Sequence, residues 1–321
     1  MGFIPKSMLI FLGVLLSASW GVAEWCYTDP SCGPNTWSNL FSTCGGSRQS
    51  PLVINESAAV WNSSLGPFQF TGYDNTSLPL NITNLGHTVE VELANGVMIS
   101  GGGLPTNYSA IAFHLHWGNG TSSLGSEHRL SGKQFPMELH IVHTKNNLNL
   151  SESKKDSTGI AVLAFFIDVT DNSASSLNTL SNLLQQVSTK GLSVPLNATI
   201  SINSVLGQVD LTSYYRYLGS LTTPTCDEAV IWTVFKNPIL VPASVINAFP
   251  QQLYSGTSGE PQKMVNNFRP PQNIGNRQVQ TSISTVPTAS AATTLHTVTA
   301  LIPTAFLAIM LFLCTEETLD I

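Results

Sequence analysis

Two stretches of the sequence decide the fold and the chemistry: Phe113-His114-Leu115-His116-Trp117-Gly118 and Glu138-Leu139-His140-Ile141-Val142-His143. Side chains at positions i and i+2 of a β-strand point to the same face, so His114 and His116 can present two imidazoles side by side. The gap to His140 is long enough for the chain to turn and return on a neighbouring strand. Three neutral imidazoles with an open fourth position are the ligand set of a catalytic zinc that activates water. A single histidine on an apolar strand is more often a core residue, but this set of three favours a metal.

Short runs of apolar and β-branched residues recur along the rest of the chain, separated by clusters of Gly, Asn, Ser and Pro. The runs predicted to be strands are residues 88–93, 111–117, 137–143, 160–169 and 229–235. The run at 160–169 is apolar up to Asp168, which is typical of a strand covered on both faces. The clearest helix is predicted over 175–190, where one apolar stripe precedes Gly191. The pattern therefore predicts a mainly β domain.

The first 23 residues have the pattern of a secretory signal peptide. Lys6 supplies a positive charge, residues 8–16 are apolar, and Gly21-Val22-Ala23 offers small residues for cleavage before Glu24. The apolar run is too short to span a membrane.

The other end of the chain predicts a lipid anchor. A polar spacer at 281–297 holds the small residues Ser290-Ala291-Ala292 and precedes an apolar run at 298–314. This is the pattern of glycosylphosphatidylinositol attachment near Ser290, with the tail 298–321 removed. The alternative is a spanning helix. However, Pro303 interrupts the run, and the Lys or Arg residues that should follow a stop-transfer segment are absent from residues 315–321. The polar residues 316–321 are atypical of an anchor signal.

The remainder, residues 24–280, has the size of one large domain. Only 10% of the chain is charged, well under half the usual share. Glycans on some of the Asn-x-Ser/Thr sites can supply the missing solubility. These sites are Asn55, Asn62, Asn75, Asn81, Asn107, Asn119, Asn149 and Asn197. A net charge of −6 and the lack of basic runs argue against a nucleic-acid partner.

Cysteine usage indicates an oxidising compartment. Five cysteines are present, and Cys314 lies in the tail that anchor attachment would remove. The four that remain are Cys26, Cys32, Cys44 and Cys226, for which three pairings are possible.

Further motifs follow the histidine stretches in a recognisable order. They are Arg48-Gln49-Ser50-Pro51, Gly125-Ser126-Glu127-His128, Leu221-Thr222-Thr223-Pro224, Met264-Val265-Asn266-Asn267-Phe268-Arg269-Pro270 and Asn276-Arg277-Gln278. Over roughly residues 24–280 the chain resembles the α-class carbonic anhydrases, and its cysteines and tail resemble the membrane-anchored group of carbonic anhydrases 4 and 15. The resemblance implies a mainly β (α+β) fold. In it a large, twisted, mostly antiparallel sheet carries short peripheral helices, with zinc in a conical cleft. It also implies the pairings Cys26–Cys32 and Cys44–Cys226.

The resemblance implies reversible hydration of carbon dioxide to bicarbonate and a proton, by attack of zinc-bound hydroxide. Zn²⁺ would be held by His114, His116 and His140, and sulfonamides and anions would inhibit by taking the open position. Thr222 would accept the hydroxide proton and pass its own proton to Glu127. The pocket for carbon dioxide would be lined by Val142, Val162, Leu221, Thr223 and Trp232.

Orienting partners for the ligands follow from the same resemblance, since each metal-bound imidazole usually donates its other N–H group. Glu138 suits His140, and the backbone carbonyl of Asn267 suits the second histidine. Ala112 stands where the family commonly has Gln, so His114 must find water or another acceptor.

His87 aligns with the family's proton shuttle, and its ordinary pKa suits proton relay near neutrality. Leu85 and Glu90 replace residues that are commonly Asn and help order the relay water. The charge of Glu90 is expected to raise the pKa of His87. The remaining histidines of the domain, His128 and His143, read as structural.

The expected protein is thus a zinc enzyme anchored by lipid at the extracellular face of the plasma membrane, with bicarbonate transporters as candidate partners. One alternative is a non-catalytic surface binding module on the same fold, although such modules have usually lost zinc ligands. Ester hydrolysis is expected only as a side activity, because the pocket is apolar.

Overall fold

Strands make up most of the regular structure in the residues that the computed structural model describes, 25–146, 148–256 and 261–284. The chain divides into two units, 1–284 and 285–321, and the described residues all belong to the first. The strands are β1 (Val53–Ile54), β2 (Val60–Trp61), β3 (Phe68–Thr71), β4 (Pro79–Asn84), β5 (Val89–Leu93), β6 (Met98–Gly101), β7 (Tyr108–Trp117), β8 (Arg129–Leu130), β9 (Met137–Lys145), β10 (Ile160–Val169), β11 (Ser193–Pro195), β12 (Tyr214–Gly219), β13 (Val230–Val241) and β14 (Gln280–Thr281). All five predicted strands are confirmed.

Twelve of these strands form one sheet in the order β11-β4-β5-β7-β9-β10-β13-β12-β14-β2, with β3 and β6 paired to each other beside β7. Neighbours in this sheet are antiparallel except for the parallel pairs β10–β13 and β14–β2. Strands β1 and β8 form a separate parallel pair. The predicted large, mostly antiparallel sheet is therefore confirmed.

Because side chains alternate along the central strands, one face of the sheet packs into the main core and the opposite face carries the three histidines. On β7, Phe113, Leu115 and Trp117 enter the larger apolar core, whereas His114 and His116 point to the opposite face. The same alternation sends Leu139 and Ile141 of β9 into that core and His140 to the other face. A second apolar cluster lies on the histidine face, and β10 contributes buried side chains to both. Both faces of β10 are covered from Ile160 to Ile167, which explains why its sequence is apolar up to Asp168.

Helices are short and peripheral. They are α1 (Trp37–Leu40), α2 (Leu150–Ser153), α3 (Leu177–Ser181), α4 (Ile202–Leu206) and α5 (Ala243–Gln252), with 3₁₀ turns at Ser42–Gly45, Glu56–Ala58 and Leu184–Val187. The prediction of one helix over 175–190 is wrong in its continuity, because the segment forms α3 and then a separate 3₁₀ turn. Leu183 donates to the carbonyl of Leu180, which tightens the chain where the α-helix ends. The apolar stripe is still buried, at Leu177, Leu180, Leu184 and Val187.

The predicted signal peptide at 1–23, the anchor site Ser290 and the apolar run at 298–314 lie outside the described residues. Within the described ranges, no helix has both the length and the apolar character needed to cross a membrane.

Candidate metal centre

Sheet register brings the three histidines of the predicted ligand set together. His114 on β7 lies directly opposite His140 on β9, and His116 lies opposite Glu138. The ring centres are 5.1 Å apart for His114 and His116, 5.3 Å for His114 and His140, and 4.7 Å for His116 and His140. One nitrogen of each ring lies within 4.8 Å of the others. The three side chains therefore converge on one point on the face of the sheet.

Hydrogen bonds fix which nitrogen of two rings faces that point. Nδ1 of His116 donates to the backbone oxygen of Asn267 at 2.7 Å, and Nε2 of His140 donates to Oε1 of Glu138 at 2.7 Å. An oxygen acceptor on one nitrogen leaves the other with a lone pair in a neutral imidazole. These lone pairs, on Nε2 of His116 and Nδ1 of His140, face each other across 3.2 Å. Two lone pairs at this distance repel each other unless a cation lies between them, so the donor set fits a zinc ion.

His114 is held less firmly than the other two. It is half-buried, and no hydrogen bond to its ring is found among the described residues. Ala112, two positions earlier on the same face, is apolar and cannot accept from it. Glu90 lies opposite His114 on β5 without a hydrogen bond to the imidazole. His116 and His140 each donate to an oxygen atom of the protein, whereas the described residues offer His114 no such acceptor.

Glu138 orients more than one ring. Its Oε1 accepts from Nδ1 of His128 at 2.6 Å as well as from His140, and its Oε2 accepts from the backbone N–H of His128. Burial alone would raise the pKa of Glu138, but its interactions with His128 and His140 hold this pKa well below its usual value. Nε2 of His128 in turn lies 2.7 Å from the hydroxyl of Tyr217. His128, expected to be merely structural, thus belongs to the chain of hydrogen bonds behind the ligands.

Glu127 lies near the histidines because the backbone before it, at Gly125, packs closely against the backbone at Gly118. A Cβ atom on Gly125 would lie 1.9 Å from the nitrogen of Gly118, so only glycine allows the two segments to meet at the end of β7. Oε1 of Glu127 accepts from the backbone N–H of Arg269 at 2.8 Å. Oε2 is buried without a hydrogen-bond partner among the described residues and lies 3.5 Å from Nε2 of His116. The carboxylate is thus aimed at the point where the imidazoles converge.

Burial decides the charges of the site. It lowers the pKa of His116 to about 4 and raises the pKa of Glu127 to about 7. The pKa values of His114 and His140 are also lowered by burial. The imidazoles are therefore neutral near pH 7 and keep the electron pairs that a metal needs. The Thr222 hydroxyl lies close enough to lower the pKa of Glu127, although it makes no well-formed hydrogen bond to Oε2.

An apolar wall adjoins the histidines. Val142, Val162 and Trp232 occupy one row across β9, β10 and β13, since Val162 pairs with both of the others. The indole of Trp232 lies 4.9 Å from the ring of His140, and Leu221 packs against the same cluster. Thr223 is half-buried in the loop that also carries Thr222. Of the five predicted pocket residues, Val142, Val162 and Trp232 thus lie in the wall beside the metal ligands. Leu221 and Thr223 lie in the loop between β12 and β13.

His87 lies at the edge of a cavity of about 770 Å³ that Trp25, Lys190 and Lys263 also line. The indole of Trp25 contacts its ring at 4.8 Å, and Nδ2 of Asn267 donates to its backbone oxygen at 3.0 Å. The expectation that Glu90 raises the pKa of His87 is wrong. Burial, with smaller contributions from His116 and the charge of Lys190, lowers this pKa to about 4.

Two disulfides join the N-terminal segment to itself and to the rest of the domain. Cys26 is bonded to Cys32, and Cys44 to Cys226 across 182 residues of sequence. Cys226 lies four residues after Thr222, in the same loop between β12 and β13.

Sequence reasoning did not single out Arg269 or Tyr27. Arg269 donates from its guanidinium to Gln49, Ser50 and Cys44 while its backbone holds Glu127. Its position in the Asn-Asn-Phe-Arg-Pro motif was the available signal. The hydroxyl of Tyr27 is buried and has no partner among the described residues, and no sequence pattern indicated it.

Comparison with known proteins identifies related chains. The family model for eukaryotic-type carbonic anhydrases matches residues 32–283. Carbonic anhydrase 12 of Homo sapiens is 38% identical over 275 residues, which cover 84% of this chain and 76% of that protein. Carbonic anhydrase 15 of Mus musculus is 35% identical over 304 residues, or 89% of this chain and 93% of that protein. Carbonic anhydrase 4 of Oryctolagus cuniculus is 38% identical over 277 residues, or 84% and 88% respectively.

Proposed function

The chain belongs to the eukaryotic-type carbonic anhydrase family and is an enzyme of that family, and we propose from this premise that it hydrates carbon dioxide reversibly at a zinc ion on the outer face of the cell membrane. The observation that carries the proposal is the pair of facing lone pairs on His116 and His140, 3.2 Å apart and beside the unpartnered oxygen of Glu127. A non-catalytic binding module would have no use for this geometry.

His114, His116 and His140 would hold the ion, with His116 and His140 oriented by Asn267 and Glu138. Zinc bound there supplies a Lewis acid that lowers the pKa of water to about 7. Three protein ligands leave a fourth position open for that water, and sulfonamide and anion inhibitors would compete for it.

Thr222 and Glu127 would orient the attacking oxygen. Glu127 accepts from the backbone of Arg269 through one oxygen, which leaves the other free to accept the proton of the Thr222 hydroxyl. A hydroxyl that donates to Glu127 must receive a hydrogen bond from the attacking water, because a hydroxyl has only one proton to give. Thr222 and Glu127 would thereby leave a lone pair of the attacking oxygen free to face the apolar wall.

Carbon dioxide is apolar, and the row of Val142, Val162 and Trp232 beside His140 offers it a site without polar competition. Substrate held there lies next to the reacting oxygen, which supplies the proximity that catalysis requires. The same wall disfavours larger polar esters as main substrates.

Proton release would pass through His87, which borders the cavity beside the site. With a pKa of about 4, the ring gives its proton readily to buffer but is a weak acceptor. Proton transfer to His87 is therefore the slow step that we propose for turnover in weak buffer.

The location rests on the ends of the chain and on its cysteines. The signal-peptide pattern at 1–23 and the anchor pattern near Ser290 support export and attachment by lipid. The two disulfides support an oxidising compartment. Six of the eight glycosylation sequons carry an exposed asparagine, whereas Asn62 and Asn81 are half-buried. Bicarbonate transporters are the partners that this location would favour.

The decisive experiment measures zinc content and carbon dioxide hydration of His140→Ala beside His87→Ala. We expect His140→Ala to lose both zinc and activity while remaining folded, and His87→Ala to retain zinc. A sulfonamide should inhibit the wild-type enzyme. Phosphatidylinositol-specific phospholipase C should release the wild-type enzyme from the surface of expressing cells. Near-normal hydration by folded His140→Ala would refute the zinc assignment. Retention after lipase treatment, once lipase-resistant anchors are excluded, would favour the spanning helix at 298–314.

A further inference from the structure

One edge of the large sheet is apolar and carries no neighbouring strand among the described residues. Strand β2, which consists of Val60 and Trp61, pairs only with β14. The exposed fractions are 44% for Val60 and 48% for Trp61. Successive side chains of a strand point to opposite faces, so this edge, here called the Trp61 edge, is apolar on both sides. Exposed sheet edges are usually protected by charges, prolines or a short strand, and β2 has only the last of these.

Trp61 is unlike the other described tryptophans. Trp37, Trp117 and Trp232 are fully buried, and Trp25 is half-buried against His87. The exposed indole of Trp61 therefore serves neither the core nor the zinc site.

The Trp61 edge lies where the chain leaves the domain. Trp61 is in register with Thr281 of β14, and the last described residue, Ser284, follows three positions later. Ser290 is six residues beyond Ser284 and can lie at most about 20 Å from it, because an extended residue spans about 3.5 Å. If the run beginning at Val298 spans the membrane instead, the corresponding limit is about 50 Å. Either kind of attachment keeps the bilayer surface within reach of the Trp61 edge.

We propose that the Trp61 edge lies in the headgroup region of the bilayer to which the chain is attached. The inference rests on the membrane attachment in the proposed function. Indole rings favour this region because their apolar body and N–H group suit its two environments. Attachment makes the contact intramolecular, so even a weak interaction is highly populated at the resulting effective concentration.

The contact would fix the orientation of the enzyme. The zinc ligands lie on β7 and β9, and β9 is five strand positions from β2 in the order of the sheet. At about 4.8 Å per position the contact is about 24 Å along the sheet from β9. A domain attached through the Trp61 edge would therefore hold its site away from the lipid surface and open to water.

The neighbouring glycosylation sequon provides an independent test. Asn62 follows Trp61 directly, and its Nδ2 donates to Oε1 of Gln280 at 3.0 Å. A glycan would attach to this same nitrogen and would place a large hydrated group between the Trp61 edge and the bilayer. The proposal therefore predicts that Asn62 carries no glycan, whereas exposed sequons such as Asn119 remain available.

The direct test measures tryptophan fluorescence of the full anchored enzyme, reconstituted into phosphatidylcholine vesicles with and without brominated acyl chains. The difference between wild type and Trp61→Phe isolates the emission of Trp61, and we expect this emission to be quenched by the brominated lipid. The matched control is Trp61→Phe combined with Leu240→Trp, which places an indole on the interior strand β13 at a position that is 45% exposed. The emission of this relocated indole should be unaffected.

Flotation with the vesicles separates the two proposals. Protein that fails to float refutes membrane attachment and with it this inference. Protein that floats while Trp61 remains unquenched refutes the Trp61 edge alone, as does a glycan found on Asn62 by peptide mapping. Lipase-released enzyme that dimerises, with the dimer lost in Trp61→Ser, would assign the edge to a second copy and also overturn the proposal.

Discussion

Among the three metal-facing residues, His114 is the one for which the described part of the chain provides no hydrogen-bond acceptor. His116 and His140 donate to oxygen atoms at 2.7 Å, whereas Ala112 gives His114 nothing to bond. Loss of such a bond typically costs about 10–100-fold in metal affinity or activity. Ala112→Gln should therefore slow zinc loss to a chelator by about tenfold or more.

Ala112→Met is the control for this change, because it fills similar space without an acceptor. If Ala112→Gln and Ala112→Met release zinc at the same rate as wild type, water already orients His114.

Proton transfer can be tested at His87. His87→Ala should lower the maximal rate in weak buffer, because the proton loses its relay between the site and the adjoining cavity. Added imidazole should restore the rate, and kcat/KM should change little because substrate attack does not involve this ring. Full activity of His87→Ala at low buffer concentration would show that the proton leaves by another route.

The low pKa of His87 has a further cause, the charge of Lys190, that substitution can remove. After burial and His116, the charge of Lys190 lowers this pKa. Lys190→Met should therefore raise the pKa of His87 as measured by NMR titration of the imidazole. Lys263→Met, which removes a charge lining the same cavity, is the control and should leave it nearly unchanged. Equal shifts in both variants would mean that the cavity's overall charge, and not Lys190, sets the pKa.

Between elements, the Cys44–Cys226 bond joins the segment before β1 to the loop between β12 and β13. Closing so long a loop stabilises the domain by about 4–5 kcal/mol in the chain-entropy model. Cys44→Ser and the double variant Cys44→Ser/Cys226→Ser should lose the same free energy of unfolding, because each removes the same bond. Denaturant titration checks this, with Cys26→Ser/Cys32→Ser as a control that opens a shorter loop and loses less.

A large difference between Cys44→Ser and the double variant would contradict that account, as would peptide mapping that joins Cys44 to Cys26 or Cys32.

For the whole domain, buried neutral histidines predict acid sensitivity once zinc is removed. Burial lowers the pKa of His143 from 6.5 to about 4. The unfolded chain therefore takes up this proton first as the pH falls, so stability is complete above about pH 6.5 and is lost between 6.5 and 4. His143 alone accounts for up to about 3 kcal/mol across that window.

Urea denaturation of the zinc-free protein at pH 7 and pH 4.5 measures this loss, and His143→Gln should make it smaller. A pH dependence that is the same in His143→Gln as in wild type would remove His143 from the explanation.

At the scale of the whole molecule, the sequence by itself determined the main strands, the mainly β class and the family. Period-2 alternation and Gly-rich breaks are local properties, so they can be read without knowing what each strand contacts. The His-x-His spacing on β7 likewise requires only the geometry of one strand. The resemblance to α-class carbonic anhydrases, which the family match confirms, rested on short contiguous motifs of this kind.

Only the tertiary structure decided what depends on contacts between distant segments. The break of the predicted helix after α3 and the low pKa of His87 reflect packing and burial, which no local pattern records. The same is true of the roles of Arg269 and His128 behind the site. The position of Trp61 beside the last described strand also depends on the tertiary structure. Trp61 and Thr281 are 220 residues apart in the sequence, and only the sheet brings them into register. Hydrogen bonding, burial and charge act through space, and the distances through which they act are set by the fold.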